Sequence, residues 1–185
     1  GCQGGLMDNA FKWIETTGLC LESSDPYTSG GGSTGTCSGK SATCAPNVTV
    51  TGFTDVKKGD EAALLAAAAQ QPVSIAIEAD KSAFQMYKGG ILDNAACGTK
   101  LDHGVLLVGF GTDSGKDYWK IKNSWGATWG EKGYIRFVRG KNQCGLANQP
   151  SFPTGAKPAG PRPPGRRRRR PTTRTPRAAA PRTST

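Results

Sequence analysis

LDHGVLLVGFGTD, residues 101–113, carries the only histidine of the chain at the front edge of an apolar, strand-like run. An apolar run of this kind, with β-branched valines and glycine-containing turns around it, reads as a short strand. A second such run lies just downstream in KIKNSWGATWG, residues 120–130. It passes from an apolar strand into Asn123, then into an aromatic–glycine pair that occurs twice, Trp125-Gly126 and Trp129-Gly130. Two adjacent strands ending at one edge would bring His103 and Asn123 together. A carboxamide oxygen accepting from one imidazole nitrogen fixes the tautomer and leaves the other nitrogen facing outward as a proton carrier. An indole over that hydrogen bond would exclude water and strengthen it. The same residues also fit a plainer arrangement, with a structural histidine, Asn123 in a turn and Trp125 in the core.

Outward from these strands, the periodicity divides the chain. GGLMDNAFKWIETTG, residues 4–18, is an amphipathic helix pattern with Leu6, Met7, Ala10, Phe11 and Ile14 at three-to-four spacing and Gly18 as its stop. Residues 21–50 are rich in Ser, Gly and Thr and read as cross-linked loops. GDEAALLAAAAQQP, residues 59–72, predicts a second helix with Asp60 as N-cap and Pro72 ending it. PVSIAIEA, HGVLLVGFG, DYWKIKNSW and GYIRFVRG then follow as short strands rich in β-branched and aromatic residues. Helices preceding strands in this way predict an α+β protein.

The net charge of +10 suggests a polyanion partner until it is located along the chain. From Lys157 onward there are ten basic residues and no acidic one, among them the run Arg166 to Arg170. The remaining 14 basic residues match the 14 acidic ones, so the body is neutral. Residues 154–185 combine Pro, Arg and Thr with nothing aromatic, and are expected to be disordered because they have too little to bury. A nucleic-acid contact is expected, if anywhere, only through this tail. Six cysteines without a C-x-x-C pair, alongside one histidine, fit disulfides in an oxidising compartment and not a metal site. Asn47-Val48-Thr49 is a glycosylation sequon. No stretch approaches the roughly 18 apolar residues of a membrane span.

Three groups of residues together resemble the papain-like cysteine proteases, in particular the cathepsin L-like and plant endopeptidase branch. They are GCQGGLMDNAF (1–11), LDHGV (101–105) and IKNSWG with WGEKGYIR (121–136). The resemblance runs from Gly1 to about Pro153. It implies a two-subdomain α+β fold: a remnant of the helical left subdomain in 1–51, an antiparallel, barrel-like β subdomain in 52–153, and the tail in 154–185. It makes His103 the general base and acid that pairs with a thiolate, Asn123 the group that orients it, and Trp125 the shield over their contact. Such an ion pair depresses a cysteine pKa to roughly 3–4. Gly4 and Gly5 become a bare backbone edge for an extended substrate. Leu6, Met7, Ala76, Leu101, Gly104 and Gln149 align with the main specificity pocket, implying a bulky apolar residue two positions before the cleaved bond. Gln149, uncharged, argues against a strong preference for arginine there.

One part of the pattern is missing. The nucleophile signature, Cys-Gly-Ser/Ala-Cys-Trp/Tyr, lies about 130–150 residues before the histidine in this family. No such string occurs here, and Cys2, only 101 residues before His103, aligns with a disulfide half. The chain is therefore expected to be a C-terminal fragment holding half of an active site, inactive alone, with an apolar face left uncovered. By the same resemblance Cys97 pairs with Cys144, and Cys2 and Cys37 have partners upstream. A local Cys20–Cys44 bridge accounts for the remaining two. The resemblance also implies protein and peptide substrates, propeptide or protein inhibitors as partners, a monomer without metal or organic cofactor, and a lysosomal, vacuolar or extracellular setting. The rival expectation is a non-catalytic binding or storage homologue that lost the thiol.

Overall fold

The structure, a computed structural model, describes residues 4–35 and 46–159. Helix α1 (Met7–Thr17) comes first and ends at Gly18, whose amide bonds back to Ile14 O. Strands β1 (Val48–Thr49) and β2 (Gly52–Asp55) precede α2 (Glu61–Ala68). The chain continues through β3 (Val73–Ile77), the short α3 (Ser82–Gln85) and β4 (Ile91–Leu92). Strands β5 (His103–Asp113), β6 (Lys116–Lys122) and β7 (Tyr134–Val138) follow, then β8 (Ser151–Thr154) and β9 (Lys157–Pro158). The Asp60 side chain accepts from Ala63 N at 2.9 Å, the N-cap expected of it. Helix α2 stops at Ala68, earlier than Pro72 requires, with its last amides looped back as a turn onto Leu65 and Ala67.

Seven strands form one sheet in the order β2-β8-β3-β5-β6-β7-β4. Every neighbouring pair is antiparallel except β4 with β7, so the sheet is mixed at one edge. The hairpin β5–β6 is closed by only Ser114 and Gly115, both at positive φ (51° and 76°). A two-residue loop of this kind matches the right-handed twist of the strands it joins. Along β6, Trp119 and Ile121 are fully buried while Lys120 and Lys122 are exposed, the alternation of a sheet with one covered face. Leu64 and Ala67 of α2 join that core with Val73, Ile75, Ile77, Leu107, Ile135, Phe137 and Leu146.

Polar links pin the helix to the sheet. Glu61 accepts from Trp119 Nε1 (2.8 Å), Gly140 N (2.7 Å) and Asn142 N (2.5 Å), so one carboxylate joins α2, β6 and the turn after β7. Cys97 and Cys144 are bridged across 47 residues, both in the core. Cys20 is also disulfide-bonded. Cys2, Cys37 and Cys44 lie outside the described residues, and with them the upstream pairings and the expected Cys20–Cys44 bridge.

Helix α1 packs differently. It lies against β1, β2 and β8, with Phe11 stacked on Phe53 (5.9 Å between centroids), yet none of its residues is buried. Leu6 and Trp13 stay about half exposed, as do Leu19 and Leu21 just beyond it. Order continues past Pro153: Thr154 closes β8, and Lys157-Pro158 pairs with Val48-Thr49. Residues 160–185, including Arg166 to Arg170, lie outside the described residues. No helix among the described residues is long and apolar enough to cross a membrane.

Candidate active site

His103 opens β5 and faces Ile77 in the β3–β5 register, while Asn123 directly follows β6. Because β5 and β6 are hairpin partners, the two residues stand at one rim. His103 Nε2 lies 2.8 Å from Asn123 Oδ1. A carboxamide oxygen only accepts, so Nε2 is the donor and Nδ1 is left for other work. The same Oδ1 takes the Ser124 amide at 2.8 Å, and Asn123 N donates to Gly133 O. Asn123 is buried, so its half of the contact is shielded from water.

The Trp125 indole stacks on the imidazole, with centroids 5.3 Å apart and planes at 29°. It is 41% exposed, so it covers the pair from the solvent side. Beneath both rings lies Phe84, fully buried in α3. Its ring meets His103 (6.3 Å), Trp125 (5.3 Å), Trp129 (5.0 Å) and Phe137 (6.2 Å). No local pattern around residues 82–85 marks Phe84 in the sequence; only the tertiary placement of α3 does. Asp102, just before the histidine, accepts from Ala79 N at 2.7 Å.

The turn that carries Trp125 and Trp129 is braced from behind. Trp129 Nε1 donates to Gln85 O, and Glu131 receives both Arg136 (2.8–3.2 Å) and the Gly90 amide (2.9 Å). The Arg136 guanidinium, more than any other group, holds the Glu131 carboxyl below the usual carboxylate range. A depressed folded-state pKa means stabilisation that is present above the unfolded value, near 4.5, and lost as pH falls through the folded one. Glu131→Gln is therefore expected to melt below the parent chain near neutral pH, with the difference closing as the pH drops beneath about 4.5. Calorimetry across that range checks this, and a constant difference down to about pH 3 would contradict it.

The residues aligned with a specificity pocket fall in several places. Met7 and Gly104 share a cavity of about 510 Å³ with Ser74, Val105, Leu106, Lys122, Asn123 and Ser124. Ala76 is buried opposite Gly104 in the strand register. Leu101 lies over Gly145, and Leu6 projects into solvent. Gln149 lines a separate depression of about 380 Å³ with Asp8, Asp55, Lys57 and Lys58. Gly4 and Gly5 are exposed, with open space around both. Asn47 is exposed at the entrance to β1, and its Oδ1 accepts from Leu21 N at 3.3 Å. Among the described residues, no group of three His, Cys, Asp or Glu side chains could hold a metal ion.

The model of the papain family cysteine proteases matches residues 1–154. Cathepsin L of Sarcophaga peregrina is 49% identical over 159 residues, which are 83% of this chain and 45% of that protein. The oryzain beta chain of Oryza sativa subsp. japonica is 46% identical over 168 residues, 85% of this chain and 34% of its own. The chain thus spans less than half the length of these relatives. Among solved structures, the bromelain protease from Ananas comosus in complex with the E64 inhibitor superposes with a TM-score of 0.76 at 38% identity. That match covers 83% of this chain and 71% of bromelain. Digestive procathepsin L 3 of the Tenebrio molitor larval midgut gives 0.75 at 43% identity, covering 83% and 50%.

Proposed function

The chain belongs to the papain family of cysteine proteases, and from that membership we propose that His103 and Asn123 form the acid–base half of a cysteine-type endopeptidase site. The observation that carries the reading is the 2.8 Å contact between His103 Nε2 and Asn123 Oδ1 under the Trp125 indole. It leaves Nδ1 as the nitrogen that serves sulfur. No nucleophile signature occurs within the 185 residues, so the thiolate is supplied by polypeptide outside them.

In that assembled site the thiolate adds to the scissile carbonyl, and His103 protonates the departing amine. The thioester that results is hydrolysed by water, whose proton the same imidazole removes. The substrate lies extended along Gly4-Gly5, and Met7 and Gly104, which share one cavity, with Ala76 paired to Gly104, select a bulky apolar side chain two positions before the cut. Residues 1–51 act as the remnant of a helical subdomain and residues 52–153 as the β subdomain, with Lys157-Pro158 pairing back onto Val48-Thr49 beyond it. Substrates are proteins and peptides, and a propeptide or a protein inhibitor is the expected macromolecular partner. Disulfide usage and kinship with the cathepsin L and plant enzymes support a lysosomal, vacuolar or extracellular site of action.

The purified chain is expected to show no turnover of fluorogenic peptides with a bulky apolar residue at that position. Activity should appear when a cysteine-bearing segment of a relative is fused or co-folded ahead of it. Normal turnover by the chain alone overturns the missing-thiol reading. Absence of turnover in the assembled form, with fold and His103–Asn123 contact intact, favours a binding or storage homologue.

A further inference from the structure

Glu78, the residue after β3, is 2% exposed and is the one charged residue among the described residues whose surface is buried. A buried charge is costly unless paired and hydrogen-bonded, so its retention points to the partners it holds. One carboxylate oxygen accepts the Lys100 amide at 2.5 Å. The other lies 3.0 Å from Lys81 Nζ, which also pairs with Asp80 at 3.1 Å. Gly98 curls against the same carboxylate: a Cβ built there would fall 2.3 Å from Oε2, and its φ is +74°. Residues 98–100 are therefore wrapped around the Glu78 head group. Any side chain at position 98 would push it out.

The wrapped segment is the lead-in to His103. It starts at Cys97, bridged to Cys144, whose carbonyl takes the Glu78 amide at 2.9 Å. It ends with Asp102 N on Ile77 O (2.9 Å), Asp102 Oδ1 on Ala79 N (2.7 Å), and His103 paired with Ile77. Three consecutive residues, Ile77 to Ala79, thus grip the loop, and among the described contacts Glu78 supplies the side-chain hydrogen bond to residues 98–101. We propose that Glu78 is a positioning residue: its buried carboxylate holds the Gly98–Asp102 loop so that the His103 imidazole stays seated between Asn123 and Trp125. This rests on the peptidase reading for its purpose, since an acid–base group displaced by about 1 Å loses on the order of 10²-fold in rate. The Lys100 amide first, and the Lys81 ammonium next, hold the Glu78 carboxyl below its usual range, so it is the charged form that makes these contacts.

His103 is the only histidine, so its ring proton resonance in the intact chain reports the site without any assay of activity. Asn123→Ala sets the reference for a released imidazole. Glu78→Ala is expected to shift the His103 ring resonance at fixed pH toward that of Asn123→Ala, while Glu78→Gln, which can still accept the Lys100 amide, stays near the parent chain. Where Glu78→Ala does not fold, Glu78→Asp is read in the same way. Asp retracts the carboxylate by one methylene, whereas Lys81→Met leaves the Lys100 amide contact in place and is expected to stay near the parent chain, as Glu78→Gln does. A parent-like His103 resonance in Glu78→Ala, or in Glu78→Asp where the alanine variant does not fold, overturns the proposal. Such a result leaves the peptidase reading standing, because that reading is decided by turnover of the assembled enzyme.

Discussion

In the assembled enzyme proposed above, His103→Ala is expected to lower kcat/KM by about 10⁴-fold or more, and Asn123→Ala by about 10²-fold. The two losses differ because the two groups do different things. Without the imidazole, the sulfur reverts toward a neutral thiol and the leaving amine has no acid, so both chemical steps lose their proton carrier. Without the carboxamide the imidazole remains but its tautomer and direction are no longer fixed by the 2.8 Å contact, and Nδ1 faces sulfur only part of the time. The Asn123→Ala loss should fall mainly on kcat, since the contact holds a reacting group and not a substrate side chain. Active-site titration alongside steady-state kinetics separates this from loss of folded protein. An Ala at position 103 that keeps activity within about tenfold of the parent would mean that a different group carries the proton.

Much of this site is legible in the sequence because it is built from neighbours in the chain. His103 and Asn123 flank a hairpin whose two-residue turn, Ser114-Gly115, sets the β5–β6 register as far as Gly109, and a bulge between Gly109 and Leu107 shifts it by one residue on the side of the pair. Two strong strand patterns and one tight turn therefore bring the pair to one rim. The pieces that depend on distant pairing are silent. Strands β2 and β8 are four residues each, lie about one hundred residues apart, and have mixed burial with Pro153 inside one of them. Neither announces its partner. Glu78 reads as an ordinary acidic residue at a strand end, and only the loop that folds over it makes it buried. Helix α1 shows the opposite case. Its amphipathic pattern is strong, yet the structure leaves Leu6 and Trp13 half exposed, because the pattern specifies an apolar face without specifying what covers it. Gln149 belongs to the same class of silence. Alignment with a pocket says nothing of the depression that Gln149 lines with Asp8 and Asp55, distinct from the cavity of Met7 and Gly104.

Phe84→Ala is expected to cost about 3–5 kcal/mol of stability, a fall in Tm on the order of 10 °C, and to disorder the site as well. The ring is fully buried and has aromatic neighbours on several sides, so its removal leaves a cavity walled by rigid indole and phenyl groups that cannot collapse. Two of the uncovered faces belong to His103 and Trp125, whose stacking is supported from below by this ring alone among the described aromatic contacts they share. Loss of packing should therefore appear in the His103 resonance as line broadening at temperatures well below the melting transition. Phe84→Leu refills most of the volume and should recover most of the stability while restoring less of the ring alignment, because an aliphatic side chain lacks the edge-to-face preference. Trp13→Ser serves as the control. It removes a larger aromatic, but one that is 47% exposed, so its effect on Tm should be close to nil. Equal losses for Phe84→Ala and Trp13→Ser in thermal and denaturant unfolding would show that burial beneath the imidazole is not what supports the site.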